Sequence, residues 1–189
     1  MSERFPRLIV VTGRPGSGKT TLAHQLGRRV RCPVLCRDEF KEGYVNTTGL
    51  IGSPGDEIGR GIYHLFFDVI EKMLRGRITL VAEAAFQHQA WVPKLEPLRA
   101  IAEVRLVLCE VPGDVARQRH IDRGLADADR ERFHDDRPVR AAREGRPLPI
   151  GEYDPPRMEV PRLAVDTSDR YRPGLDAIVR FALDETSGD

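Results

Sequence analysis

Cysteine is scarce: the 189-residue chain has three, Cys32, Cys36 and Cys109. An odd number without a second close pair is no disulfide framework, and it points to a reducing compartment. Cys32 and Cys36 have no matching Cys/His pair downstream at zinc-site spacing, which argues against a structural zinc. Long apolar runs are missing as well. None approaches the roughly 20 residues of a membrane helix, and Met1 to Arg7 lack the apolar core of a signal peptide. Neither export nor membrane attachment is expected, and the cytoplasm is the expected location. Charge of one sign is also absent: 30 Lys and Arg face 29 Asp and Glu, a formal net charge of +1. A near-neutral chain is a poor nucleic-acid scaffold, although a local basic patch is compatible with it.

What is present is alternation. Leu8 to Thr12 (LIVVT) is a short apolar run stopped by Gly13, the pattern of a buried parallel strand. Lys19 to Val30 follows with Leu22, Ala23, Leu26 and Val30 at helical spacing. Val34 to Cys36, Ile78 to Ala82, Val104 to Cys109 and Leu163 to Val165 read as four more strands. Between them, Asp56 to Arg75 is the clearest helix: Ile58, Ile62, Leu65, Phe66, Val69, Ile70 and Met73 recur at three and four, and Gly76 ends it. Asn46 to Gly55 reads as a loop. Trp91 to Ala102, Asp114 to Arg123 and Leu175 to Leu183 are further helices. Strands alternating with helices predict one α/β domain, 1–189, with a central five-stranded parallel sheet between helical layers. A charged, proline-spotted stretch of about 124–157 has no steady period and reads as an inserted lid. Ligands of such sheets bind beyond the carboxyl ends of the strands.

Immediately after the first strand, Gly13-Arg14-Pro15-Gly16-Ser17-Gly18-Lys19-Thr20 satisfies G-x-x-x-x-G-K-[ST] in full. The glycines let the backbone curl so that successive N–H groups face phosphate oxygens. The helix behind presents its positive end to the same anion. Lys19 reaches the β- and γ-phosphates, and the Thr20 hydroxyl suits Mg²⁺. Nucleotide contact is therefore assigned to Gly13, Arg14, Pro15, Gly16, Ser17, Gly18, Lys19, Thr20 and Thr21, with Thr20 as metal ligand. The fold expected is the P-loop NTPase three-layer sandwich, with ATP and Mg²⁺ as cofactors. A GTPase would carry N/T-K-x-D, which is absent. Asp56-Glu57-Ile58-Gly59 spells D-x-x-G but follows Gly and Ser rather than a strand, so it reads as a capped helix start. A motor ATPase would usually end four apolar residues in Asp or Asp-Glu; the nearest matches, Leu80-Val81-Ala82-Glu83 and Leu106-Val107-Leu108-Cys109-Glu110, have no Asp.

GRPGSGKTTLA, then CRDEFKEG after the second strand, then Arg119-x-x-x-Arg123 and finally VDTSDRYRPGL resemble a family of small P-loop kinases. These are the AAA-type ATP-binding proteins of the chloramphenicol phosphotransferase, zeta-toxin and gluconate-kinase group. The likeness runs over nearly the whole chain. It implies an ATP-dependent transfer of the γ-phosphate to a hydroxyl of a small molecule. By that likeness Asp38 is the carboxylate that takes the hydroxyl proton; the plainer alternative is that Asp38 only caps the helix behind it. Arg119 and Arg123, one helical turn apart, resemble lid arginines, one at adenine or a phosphate and the other on the transferred group. Arg117 lies on another face. Glu83 ends the third strand and would orient the substrate or hold Mg²⁺ through water, unless it pairs with an arginine at the cleft edge. Asp166-Thr167-Ser168 falls where relatives contact the adenine edge. His88, Trp91, His134 and Tyr153 are open to pocket roles, with packing or exposure the plainer one.

Two other functions fit the same cradle. A polynucleotide 5′-kinase would use the arginines of Arg117 to Arg146 to track a backbone, with steep salt dependence. A regulatory ATPase would use bound nucleotide as a switch. The near-neutral charge disfavours the first, and the absence of switch motifs disfavours the second.

Overall fold

The strand β1 (Arg7–Gly13) belongs at the centre of a sheet because its side chains are apolar on both faces. Leu8, Ile9, Val10 and Val11 are all fully buried. The computed structural model describes residues 5–53, 55–127, 129–134, 136–146 and 151–183 of the chain. In it β1 pairs in parallel with β3 (Leu80–Glu83) on one side and β4 (Glu103–Glu110) on the other. Outside these lie β2 (Val34–Cys36) and β5 (Arg162–Asp166), giving the parallel order β2-β3-β1-β4-β5. Every strand thus delivers its last residue to one edge: Gly13, Cys36, Glu83, Glu110 and Asp166.

Eight helices among the described residues surround the sheet: α1 (Lys19–Val30), α2 (Arg37–Thr48), α3 (Glu57–Arg75), α4 (His88–Leu95), α5 (Gly113–Ala126), α6 (Arg130–Phe133), α7 (Arg137–Arg143) and α8 (Leu175–Leu183). Alternate strand residues point to opposite faces. Ile9, Val11, Val81 and Val107 therefore pack with Leu22 and Leu26 of α1 and Ile178 of α8. Leu8, Val10, Ala82 and Leu106 pack on the other face with Phe66 and Ile70 of α3 and Trp91 and Leu95 of α4. No helix among the described residues is long and apolar enough to cross a membrane.

The second core is built on aromatic edges. Phe66 is fully buried and meets Phe40, Phe67, Phe86 and Trp91 with ring centroids 5.4 to 6.4 Å apart. Phe66→Ala is expected to cost about 3–5 kcal/mol through lost transfer energy and a residual cavity. In a chain of this size that lowers the Tm by roughly 10 °C, readable by circular dichroism.

Two local expectations are corrected. The helix after β2 continues to Thr48 where a loop was expected from Asn46, and Thr47 and Thr48 return their hydroxyls to the carbonyls of Gly43 and Tyr44 one turn back. Gly49, with φ 71°, ends it. Leu65 is 52% exposed rather than on the buried stripe of α3, and Phe67 and Leu74 take that place. Gly76 ends α3 as its C-cap, as expected, with a negative φ of −75°, and the left-handed residue that follows is Arg77, φ 62°. Asp56 does cap α3, accepting from the Gly59 N–H at 2.6 Å. The helix α5 runs to Ala126, so the lid begins after it. Its α7 lies so close to α5 that a Cβ on Gly124 would sit 2.4 Å from a Val139 methyl. Residues 128, 135 and 147–150 of the expected lid, and residues 1–4 ahead of β1, lie outside the described residues.

Candidate active site

The loop between β1 and α1 forms the cradle. Gly16 and Gly18 both have positive φ, 83° and 76°. A Cβ on Gly16 would also fall 1.9 Å from the Ala116 carbonyl oxygen, so the loop is pressed against α5 and only glycine fits. Gly18 is the N-cap of α1 and brings no side chain; the first turn holds no acidic residue. Its N–H groups therefore have no side-chain acceptor, and the helix end is left for an anion. Ser17 is fully buried and its hydroxyl has no partner among the described residues. A buried hydroxyl is costly to leave unpaired, and a phosphate oxygen supplies an acceptor. The loop is anchored from behind by Thr167, whose hydroxyl donates to the Ser17 carbonyl at 2.7 Å. Gly13 ends β1, Arg14 is half-buried, Pro15 is exposed on the rim, and Thr21 is exposed in the first turn of α1. These residues fit a nucleoside triphosphate.

Beneath the cradle lies a small buried charge group. The Thr20 hydroxyl donates to Glu83 Oε2 at 3.1 Å, and Lys19 Nζ lies 3.7 Å from Glu83 Oε1. Glu83 is only 2% exposed. Burial raises its pKa above the ordinary carboxylate range against the pull of Lys19, and Asp38 adds to the rise. Its cationic partner is the cradle lysine and not an arginine at the cleft edge. Thr20 and Glu83 together offer oxygen ligands of the kind a hard divalent cation prefers. Next to them, Cys36 is buried, with Sγ 3.6 Å from His24 Nε2, which in turn is 2.8 Å from Glu39 Oε1. Cys32 is not part of this group. Burial, then Glu83 and Glu39, push the Cys36 thiol far above its usual range, which makes it inert rather than nucleophilic.

In front of the cradle a cavity of about 230 Å³ brings together Lys19, Arg37, Asp38, Lys41, Trp91 and Arg123. Asp38 sits in the first turn of α2, whose N-cap is Cys36 without a side-chain cap. The capping alternative for Asp38 therefore fails. Its carboxylate is open to solvent inside a concavity whose walls crowd it on every flank. Burial by those walls favours the neutral acid, yet Lys19, then His134, Arg37 and Lys41, outweigh it and hold the pKa below its ordinary value. Asp38 is therefore ionised at neutral pH. Burial lowers the Arg123 pKa, and Arg130 adds to this, while Asp38, Asp136 and Glu83 support its charge.

Side chains of the 124–157 stretch line this cavity and make polar contacts around it. His134 Nε2 lies 2.8 Å from Glu42 of α2, and Asp136 is 2.9 Å from His120 Nε2 of α5 and 3.4 Å from Arg130 Nε. A second cavity of about 260 Å³ shares Pro15 and His120 with the first and is lined by Arg14, Arg117, Gln87 and Tyr153. The Tyr153 and Thr12 hydroxyls lie 2.6 Å apart, and Thr12 also accepts from the Phe86 N–H at 3.0 Å.

Arg119 and Arg123 part company. Arg119 leaves the cavity and donates to the carbonyls of Thr167, at 2.9 Å, and Ser168. It is fixed beside the turn after β5, while Arg123 lines the cavity with Asp38. Trp91 is at once a core residue, 7% exposed, and a wall of the cavity. His88 is a packing residue whose Nδ1 accepts from the Arg157 N–H. Sequence reasoning gave no role to Lys41 or Asp136, none to Arg37 beyond its place just after the second strand, and none to Arg130 beyond backbone tracking in a polynucleotide kinase. Lys41 stands one helical turn beyond Arg37 and Asp38, a spacing that marks a shared helix face. Arg130 and Asp136 lie in the aperiodic lid, where nothing local marks them.

Residues 8–144 match the family model for an AAA domain, a span that holds the cradle, Asp38, Glu83 and both arginines. The chain belongs to the AAA domain family. Among solved structures, a protein described as a "putative kinase" from Chloroflexus aurantiacus J-10-fl is 26% identical, with 97% of this chain and 100% of that one aligned at a TM-score of 0.79. A gluconokinase from Sinorhizobium meliloti 1021 is 22% identical over 96% of this chain and 92% of its own, at 0.55. The APS kinase of Mycobacterium tuberculosis in complex with AMPPNP and APS is 20% identical over 96% of both chains, also at 0.55. No curated protein matches the chain. This AAA domain therefore has the P-loop fold of small kinases, with a nucleotide cradle at the carboxyl edge of its sheet.

Proposed function

We propose that the chain is an ATP-dependent phosphotransferase that moves the γ-phosphate of ATP to a hydroxyl of a small molecule. One observation carries this: the ionised Asp38 and the cradle lysine Lys19 face one walled cavity, with Arg123 on the same wall. Phosphoryl transfer asks mainly for positioning and charge balance, with help from a base. The cradle and Lys19 hold the triphosphate. The acceptor oxygen forms a bond to the γ-phosphorus as the bond to the β–γ bridging oxygen breaks, and its proton passes to Asp38. ADP leaves with the bond pair. Lys19 and Arg123 balance the charge on the transferring group, and Arg119 borders the nucleoside beside Thr167 and Ser168. Mg²⁺, held by Thr20 with Glu83 behind it, would supply further charge neutralisation. The lid excludes water, which would otherwise take the phosphoryl group.

The test is a transfer assay with γ-labelled ATP, Mg²⁺ and a panel of small hydroxyl compounds. Label is expected in a phosphate monoester, formed one-to-one with ADP. ADP formation with label only in free phosphate, across the whole panel, would mean a hydrolase or switch and not a kinase.

A further inference from the structure

We infer that the acceptor carries an anionic group, a carboxylate or a phosphate, which binds Arg37 on the face of Trp91 while the acceptor hydroxyl lies at Asp38. The inference rests on the kinase function proposed above and adds the acceptor's chemical class to it.

Five cationic side chains line the first cavity, Lys19, Arg37, Lys41, Arg123 and Arg130, against the carboxylates of Asp38 and Asp136. Most of this excess has a use in hand. Lys19 is paired with Glu83, and Arg130 with Asp136. Lys41 adds its field to Asp38. Arg123 stands where charge builds on the transferring phosphoryl group. Arg37 is different. Its guanidinium carbon lies 5.5 Å from the centroid of the Trp91 ring, and its Nε is buried without a hydrogen-bond acceptor among the described residues. A buried guanidinium N–H without an acceptor is costly, and a planar fork stacked on an aromatic is preset for an oxyanion.

The stack is rigid. Trp91 is wedged by Phe86 at 4.7 Å and Tyr63 at 5.0 Å between ring centroids, and the Tyr63 hydroxyl donates to the Ala90 carbonyl. Arg37 thus offers its N–H edge without the ordering cost that a mobile arginine would bear. Burial also lowers its pKa, with Asp38 the carboxylate that offsets it, so the positive charge is under-compensated. Asp38 cannot serve as the permanent partner of Arg37 and also receive the acceptor's proton. A neutral polyol could accept a hydrogen bond from Arg37 but would leave its buried charge uncompensated; an oxyanion beside the reacting hydroxyl would supply both.

Trp91 is the chain's sole tryptophan, so its emission reports this site alone. The protein is first saturated with Mg²⁺ and a non-hydrolysable ATP analogue, which fills the cradle and keeps added anions out of it. It is then titrated with three matched probes: glycerate, glycerol 3-phosphate and glycerol. A saturable change with at least one anion, about 10- to 100-fold tighter than any change with glycerol, is expected for a charge-assisted contact. Which anion saturates decides between carboxylate and phosphate. Arg37→Gln should remove the preference, and Arg37→Lys should keep part of it, while both retain wild-type affinity for a fluorescent ATP analogue and so prove folded. Equal response to glycerol and the anions, no saturation with either anion, or an unchanged anion preference in Arg37→Gln would overturn the inference. Failure of phosphoryl transfer in the labelled-ATP assay, with the anion preference intact, would instead remove the kinase function and leave an anion site.

Discussion

Lys19→Ala is expected to cut phosphoryl transfer by about 10²–10³-fold or more, the usual loss when a preset donor to transition-state charge is removed, and to weaken nucleotide uptake. Lys19 Nζ sits 3.7 Å from Glu83 and is nearly buried, so its charge acts through few intervening waters. Removing it also strands a buried carboxylate. Glu83 then becomes protonated more readily, since Lys19 is the largest influence holding its pKa down. The single variant should therefore lose some stability as well as activity, and the two effects can be separated. Lys19→Met combined with Glu83→Gln removes both halves of the ion pair, so thermal stability should return towards wild type while transfer stays lost. Calorimetric titration with ATP and Mg²⁺, run beside the labelled-ATP assay, checks both. Unchanged uptake and transfer in Lys19→Ala would mean that the loop is not a triphosphate cradle.

The parts of the fold that were legible in the sequence are those whose signals are local. Helices Lys19–Val30 and Leu175–Leu183 and strand Val34–Cys36 match residue for residue, because an apolar stripe or run is bounded by its own Gly, Pro or charge. The misses need tertiary knowledge. Leu65 fits the helical period as well as Phe66 does, yet the sheet meets only the stripe through Ile62, Phe66 and Ile70. Thr47 and Thr48 look like loop residues until their hydroxyls find carbonyls one turn back. An arginine in left-handed conformation at position 77, after a glycine that stays right-handed, breaks the usual preference for glycine there.

The site divides along the same line. The cradle is contiguous, so eight residues in order reveal it. The acceptor cavity draws its walls from the start of α2, the edge of α4, the end of α5 and the lid, which are distant in sequence. Arg119 and Arg123 show the limit of helical-face reasoning: four residues apart on one face, they end at different places, one at Thr167 and one on the wall of the cavity that Asp38 also lines. Arg37 directly precedes Asp38, but only the indole of Trp91, more than fifty positions away, makes it a preset fork.

Asp38→Asn is expected to lower kcat by about 10²-fold or more, the lower end of what a positioned base contributes, while ATP affinity stays within a factor of about two, since Asp38 faces the acceptor cavity and not the cradle. The pH profile tests the role separately. Burial alone would raise the Asp38 pKa, and Lys19, His134, Arg37 and Lys41 reverse it, so the folded value lies below that of the free side chain. A depressed carboxylate pKa adds stability that is present above the unfolded value, about 3.9, and is lost as pH falls through the folded one. The acid limb of kcat/KM, which reports the free enzyme, should accordingly lie below about pH 4. His134→Ala should move that limb upward by removing one of the cationic neighbours, and the Asn variant should lack it altogether. An asparagine that kept full turnover would reduce Asp38 to a counter-ion for Arg37, Lys41 and Lys19. The acceptor proton would then leave with the phosphoryl group or to water, and the cavity would act through positioning alone.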